Sequence, residues 1–247
     1  MEEQLAGNGP APKAAVEARP ASTVVLLRDS SDGLETLLLK RNKALLFAGG
    51  AWVFPGGALE PADWQAAGDD VEGAARQAAA REAAEETGLC PAPQSMIQIS
   101  HWTTPLSEGK RFSTWIYAAP CPENCDVVID GSEIHEARWI SVQAALQQHH
   151  DGTLAVLPPT YITLCDIARY PTVAALLASG ESRQPPQVFP RPARHEGQVL
   201  VMFRGDSGYE SGDGSLPGPR HRAVLEGSRW RYIHDGVAAE FPPLTGA

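Results

Sequence analysis

The run from residue 81 to residue 89 reads Arg81-Glu82-Ala83-Ala84-Glu85-Glu86-Thr87-Gly88-Leu89. Its three glutamates stand at positions i, i+3 and i+4, which places their carboxylates on one face of a helix. Like charges at this spacing repel one another and weaken the helix that carries them. A solvated acidic face tolerates the repulsion, whereas a hard cation such as Mg²⁺ or Mn²⁺ converts it into coordination by oxygen ligands. The run therefore indicates either a solvated helix face or a metal site.

The residues on either side favour the metal site. Phe54-Pro55-Gly56-Gly57 follows a short apolar run upstream, and Gly88 is well placed to end the helix. A strand, a Gly-Gly turn, a loop and a helix with Arg-Glu-x-x-Glu-Glu-x-Gly-Leu resemble the box of Nudix (MutT-like) hydrolases. The resemblance implies an α/β protein, a Nudix α/β/α sandwich with a mixed sheet, and a metal-dependent diphosphohydrolase that uses Mg²⁺ or Mn²⁺.

The first half of the box departs from the family pattern. Gly73 stands where the first glutamate of the box is expected, so Glu72 is the first candidate for that role and Glu60 the second. The loop over residues 58–71 is longer than usual, and we expect it to form one wall of the substrate site and to be mobile when that site is empty. An insertion here resembles the coenzyme A diphosphatase-type subgroup. Trp102-Thr103-Thr104-Pro105 and Lys110-Arg111-Phe112 resemble most closely the peroxisomal branch of that subgroup.

The resemblance also implies roles for individual residues. Glu82, Glu85 and Glu86 would bind the metal, with Glu85 and Glu86 also catalytic, and the backbone at Gly57 would supply a further oxygen ligand. Arg81 would orient a helix carboxylate through a charge-assisted hydrogen bond. Glu133 and Glu136 precede a predicted strand, where several family members place an acidic base or ligand. Both glutamates could equally be solvated loop charges.

Substrate contacts are predicted from cationic and aromatic residues. Arg41, Lys110 and Arg111 are candidates for binding phosphates, while Trp102 and Phe112 either stack on a base or belong to the core. The resemblance implies cleavage of a nucleoside diphosphate-linked metabolite, with coenzyme A or an acyl-CoA as the leading substrate. ADP-ribose or a dinucleotide is the alternative within hydrolases. A catalytically weak nucleotide-binding module is the alternative outside them.

Composition limits the classes of partner. The chain has 247 residues and a net charge of −10, which argues against broad nucleic-acid binding. The resemblance implies a small phosphoanhydride substrate as the partner. No apolar run reaches the length of a transmembrane helix, and residues 1–4 lack a signal pattern, so we expect no membrane association and a cytoplasmic location. Cys121 and Cys125 are interpreted as reduced thiols, since a zinc site would need a second pair.

Changes in residue pattern predict three regions. Residues 1–20 have the composition of a disordered tail, residues 21–182 form the Nudix domain, and residues 183–247 form a β-rich C-terminal extension that packs on the domain and contributes to a homodimer. The predicted strands cover 22–28, 35–41, 51–54, 97–102, 112–119, 137–140, 199–203 and 228–233. The predicted helices cover 71–87, a segment after Ser141 as N-cap, 161–168 and 171–177.

Overall fold

A computed structural model describes residues 16–42, 50–68, 70–121, 126–129 and 134–246. Eight strands form the main sheet: β1 (Arg19–Ser30), β2 (Gly33–Arg41), β3 (Trp52–Val53), β4 (Gly56–Ala58), β5 (Ile97–Thr103), β6 (Phe112–Pro120), β7 (Ile134–Ser141) and β8 (Gln187–Val188). The helices are α1 (Pro61–Ala67), α2 (Val71–Thr87), α3 (Val142–His150), α4 (Pro158–Ile167) and α5 (Val173–Ser179), with a 3-10 turn at Pro93–Ser95. A second sheet contains β9 (Arg191–His195), β10 (Gln198–Met202), β11 (Arg220–Glu226) and β12 (Arg229–Asp235).

The main sheet is mixed. Strands β1 and β2 form an antiparallel hairpin closed at Ser30 and Gly33, and β1 also pairs with β6 in the parallel sense. The order along the sheet is β3-β2-β1-β6-β5-β8, with β4 also paired to β1 and β7 also paired to β2. Because β4 lies against the first half of β1, the Gly-Gly turn is fixed to the centre of the sheet.

Each face of the sheet buries its own apolar cluster. Alternate residues of β1 and β2 point to opposite sides, as the period-2 geometry of a strand requires. Val24 and Leu26 pack with Ala79 and Ala83 of α2 on one side. On the other side, Val25 and neighbours pack with α3, α4 and α5 and with apolar residues of the second sheet. The predicted α/β/α sandwich with a C-terminal β-rich extension is therefore confirmed.

The extension is continuous with this core. Val201, Phe203 and Ala223 belong to the same buried cluster as the apolar residues of the main sheet, and β8 pairs directly with β5. Arg183 bonds to the Ile99 carbonyl oxygen and to the buried Asp166 carboxylate. The extension thus packs on the domain.

Two local expectations need correction. The segment predicted as a loop over residues 58–71 contains a complete helix, α1, whose first turn carries Pro61 after the N-cap Glu60. Cys121 is disulfide-bonded rather than a reduced thiol, whereas Cys90 and Cys165 are free. Cys125 lies outside the described residues.

The helices in the described part of the chain are too short or too polar to cross a bilayer.

Candidate active site

Helix α2 presents the acidic face predicted from its sequence. Its N-terminus is capped by Asp70, whose side chain accepts a hydrogen bond of 2.7 Å from the Gly73 amide, and Gly88 ends it with a φ of 73°. The alanines bury one side of the helix against the sheet, because their small side chains allow close approach. The charged residues Arg81, Glu85 and Glu86 are left on the remaining surface, towards the Gly-Gly turn.

Arg81 connects three elements. Its Nε and Nη2 atoms donate to the two carboxylate oxygens of Asp63 at 3.2 and 3.0 Å, which is a bidentate pair. Nη2 also donates to the Ala58 carbonyl oxygen at 3.0 Å, and Nη1 donates to Glu82 at 3.0 Å and to Glu85 at 3.1 Å. Arg81 therefore ties α1 and β4 to the acidic face of α2.

Asp63 is the residue that sequence reasoning missed. Only 4% of it is exposed, and its Oδ2 also accepts the Glu60 amide at 2.8 Å. The two sequence candidates for this role lie elsewhere: Glu60 caps α1, and Glu72 is exposed in the first turn of α2. A helix start at Glu60-Pro61, with an acid at the third helical position, was the available signal.

The Gly-Gly turn contacts two of the three glutamates. The Gly56 amide donates to Glu86 Oε2 at 3.0 Å. A Cβ atom on Gly57 would lie 2.3 Å from Glu82 Oε1, so the Glu82 carboxylate occupies the space that any larger residue would fill. The absence of a side chain at Gly57 is therefore what lets the carboxylate approach the backbone.

Glu82 is held in a partly dehydrated position. Burial raises its pKa, the charge and hydrogen bond of Arg81 oppose that rise, and the nearby charges of Glu85 and Glu60 add to it. A carboxylate whose charged form is disfavoured in this way gains from a nearby cation. The chemistry of Glu82 is thus suited to a positive charge in the adjoining space.

All three glutamates line one open cleft of about 620 Å³. Three cationic side chains, Arg19, Arg41 and Lys110, line the same cleft, together with the Gly56-Gly57 turn. Arg41 and Lys110 were predicted to bind phosphate, whereas Arg19 was not singled out because it precedes the apolar run of β1. The cleft therefore combines carboxylates that suit a metal with cations that suit an anionic substrate.

Other predicted site residues are placed differently. Glu136 lies on β7 and pairs with Lys40 at 3.1 Å, and it does not line the cleft. The Arg111 guanidinium donates to the carbonyl oxygens of Thr104 and Val16, which uses it to join strand ends. Their predicted roles therefore gain no support from position. Glu133 lies outside the described residues.

The two aromatic candidates differ in exposure. Trp102 is 5% exposed, donates its indole N–H to Ser100 Oγ at 3.1 Å and packs edge-on against Phe203 at 5.9 Å, so most of it belongs to the core. Phe112 is half-buried and lines the cleft. The segment predicted as a wall of the substrate site contributes only Ala58 to the cleft lining, because α1 faces Arg81 instead.

The cleft fits a hard divalent cation by the chemistry of its donors. Within the described ranges, no group of three or more His, Cys, Asp or Glu side chains converges to hold a metal ion. The three glutamates nevertheless line one space, they offer oxygen atoms only, and burial disfavours the charge of Glu82. The three carboxylates are therefore suitable ligands for a hard cation. In this structure they are hydrogen-bonded to Arg81 and to the Gly56 amide.

Comparisons with known proteins agree with this arrangement. A model of the NUDIX domain family matches residues 18–158. Phosphatase NudJ from Escherichia coli strain K12 is 34% identical over 71 residues, which cover 29% of this chain and 45% of NudJ, so less than half of that relative is matched. A NUDIX hydrolase from Alicyclobacillus acidocaldarius shares the fold, with a TM-score of 0.61 at 23% identity over 67% of this chain and 97% of that one.

Proposed function

Since this chain belongs to the NUDIX domain family, we propose that it is a metal-dependent hydrolase that cleaves the diphosphate of a nucleoside diphosphate-linked metabolite. One observation carries the proposal: Glu82, Glu85 and Glu86 line the same cleft as Arg19, Arg41 and Lys110. Hydrolysis of a diphosphate ester needs both groups of residues. The cationic side chains balance the charge of the diphosphate, and the carboxylates hold the metal ion that polarises the attacking water.

In this mechanism Glu82, Glu85 and Glu86 would hold Mg²⁺ or Mn²⁺, and the Gly57 backbone would offer a further oxygen. The bound cation supplies charge neutralisation and lowers the pKa of water. Arg81 fixes the orientation of Glu82 and Glu85, and the Gly56 amide fixes Glu86. Arg41 and Lys110 position the phosphates by charge. Glu85 and Glu86 are the candidates to accept a proton from the attacking water, since both line the cleft.

The leading substrate is coenzyme A or an acyl-CoA, and ADP-ribose or a dinucleotide is the alternative. The open cleft of about 620 Å³ accommodates a diphosphate with groups on both sides. A catalytically weak binding module was the alternative from another class, because the first glutamate of the box is displaced. The ion pair between Asp63 and Arg81 weakens the case for a binding module, because a carboxylate holds the helix arginine although the first glutamate of the box is displaced.

The test is substitution of the glutamates without loss of the fold. Glu85→Gln and Glu86→Gln remove one charge each and should lower kcat by about 10²-fold or more, because the metal and the reacting water lose a ligand or base. Glu72→Gln is the matched control, since Glu72 is exposed on the same helix and does not line the cleft. Wild-type turnover by both cleft variants on a validated substrate would refute the assignment.

Two wider expectations stay predictions. A homodimer formed through the C-terminal extension would be detected by light scattering of the full chain. The cytoplasmic location would be tested by cell fractionation.

A further inference from the structure

A second cavity of about 310 Å³ adjoins the charged cleft. Phe54, Phe112 and Leu157 line both spaces, so the two lie side by side and share these walls. The volume is at the lower end of the range of about 300–1,000 Å³ found for ligand pockets. A substrate in the charged cleft therefore has a chemically different cavity next to it.

The second cavity is lined mainly by apolar groups. Its inner side contains Trp102 and Phe112, and its rim carries Pro158. Glu108, which is exposed, is the charged side chain among its described lining residues, and no cation lines it. A phosphate or a carboxylate would gain nothing there, whereas an uncharged group would lose its hydration at little cost.

The C-terminal extension builds the outer wall. Pro190, Pro192 and Val201 line the cavity, and Pro192 of β9 pairs directly with Val201 of β10. Val201 is 8% exposed and belongs to the core cluster, which holds this wall against the Nudix domain. These residues lie beyond the part of the chain that the NUDIX family model matches, residues 18–158. The extension thus adds a surface that this chain has in addition to the matched domain.

We propose that this apolar cavity binds an uncharged, hydrocarbon-rich group attached to the substrate diphosphate, and that the C-terminal sheet selects for it. The proposal rests on the proposed function for the placement of the diphosphate. A nucleobase fits less well, because the lining is mainly apolar and the Trp102 indole N–H is already donated to Ser100. Threonine hydroxyls such as those of Thr103 and Thr114 are the groups that a base edge could reach, and diadenosine diphosphate tests that occupant.

The experiment compares the methyl and octyl esters of ADP, with diadenosine diphosphate as a polar comparator. Binding is measured by calorimetry with EDTA, so that it does not depend on turnover, and hydrolysis is measured separately with Mg²⁺. The octyl ester should bind at least about 30-fold more tightly than the methyl ester, since each buried methylene strengthens binding about fourfold.

Val201→Asp should reduce that ratio to near one, by placing a charge in the wall. Val199→Asp is the matched control, because Val199 is half-buried on the same strand and does not line the cavity. Val201→Phe, which fills the cavity without adding charge, replaces Val201→Asp if circular dichroism shows the latter to be unfolded.

Equal binding of the two esters, a ratio that survives in the Val201 variant that folds, or tighter binding of diadenosine diphosphate than of the octyl ester would overturn the proposal. A preserved ratio without hydrolysis of any ester would support the cavity and contradict the proposed hydrolase.

Discussion

At the scale of single residues, Arg81 and Asp63 hold the site in shape. The helix glutamates and Arg81 could be predicted from their spacing within nine residues. The partner of Arg81 could not, because Asp63 lies 18 positions earlier and the contact exists only after α1 has folded back on α2. A carboxylate from a different helix replaces the one expected from the box.

Asp63→Asn should destabilise the protein by about 2 kcal/mol and lower kcat by about tenfold or more. The asparagine amide oxygen can still accept the Glu60 N–H, but the side chain cannot neutralise Arg81. The unpaired guanidinium would then attract Glu82 and Glu85 more strongly and move their carboxylates. Thermal unfolding and steady-state kinetics measure the two effects. Asp235→Asn, at an exposed strand end, is the control. An Asp63→Asn protein with wild-type kcat would show that Arg81 is positioned without it.

At the scale of elements, the site depends on the close approach of β4 to α2. The bounds of α2 and the Ser141 cap of α3 were predicted correctly from propensity and capping residues. Helix α1 was missed because its proline and acidic residues were interpreted as loop residues. Strand β9 was also missed. Its Pro192 is acceptable there because β9 is an edge strand of the second sheet.

The two glycines of the turn should respond differently to alanine. The three atoms nearest to a Cβ on Gly57 all belong to the Glu82 carboxylate, so Gly57→Ala should displace that carboxylate and lower kcat by about tenfold or more with little loss of stability. A Cβ on Gly56 meets the Ser22 carbonyl oxygen at 2.4 Å and the Thr23 Cα at 2.8 Å, so Gly56→Ala should chiefly lower the melting temperature. Kinetics and calorimetry of both variants test this, and identical profiles would contradict it.

At the scale of the whole molecule, the C-terminal sheet packs on the Nudix domain through apolar residues and is itself stabilised by a buried ion pair. Arg222 is 4% exposed and forms a bidentate pair with Asp206 at 2.7 and 2.6 Å. Strand β11 could not be predicted, because a buried strand that contains His221 and Arg222 has no apolar alternation. Its partner Asp206 lies in the connecting loop and satisfies it only in the folded chain.

His221 should make stability depend on pH. It is 3% exposed, its Nδ1–H donates to the Arg204 carbonyl oxygen, and its Nε2 has no hydrogen-bond partner among the described residues. Burial is the main reason why the His221 pKa is lowered from 6.5 to about 4, and the charge of His234 lowers it further. The hydrogen bond to Arg204 and the charge of Asp206 act in the opposite direction and raise it. Because the unfolded chain binds the proton more readily, stability is complete above about pH 6.5 and falls towards pH 4, by up to about 3 kcal/mol.

Urea unfolding between pH 7 and pH 4 measures this dependence. His221→Gln removes one titrating group and should reduce the slope across that window, leaving the part due to His101 and His149, whose pKa values burial also lowers. The pKa of Asp206 is lowered from 3.8, so its contribution to stability is complete above about pH 4. That contribution is lost only below about pH 4, outside that pH window. Equal slopes for the wild type and His221→Gln would contradict the assignment.

The central claim is that the cleft hydrolyses a diphosphate with a divalent cation held by the α2 glutamates. It is tested most directly by assaying the full chain for released phosphomonoester on a panel of coenzyme A, acyl-CoA, ADP-ribose and dinucleotides, with Mg²⁺, with Mn²⁺ and with EDTA. We expect turnover of at least one substrate class with a cation and none with EDTA. Turnover that persists undiminished in EDTA, or the absence of turnover on every substrate with either cation, would contradict it.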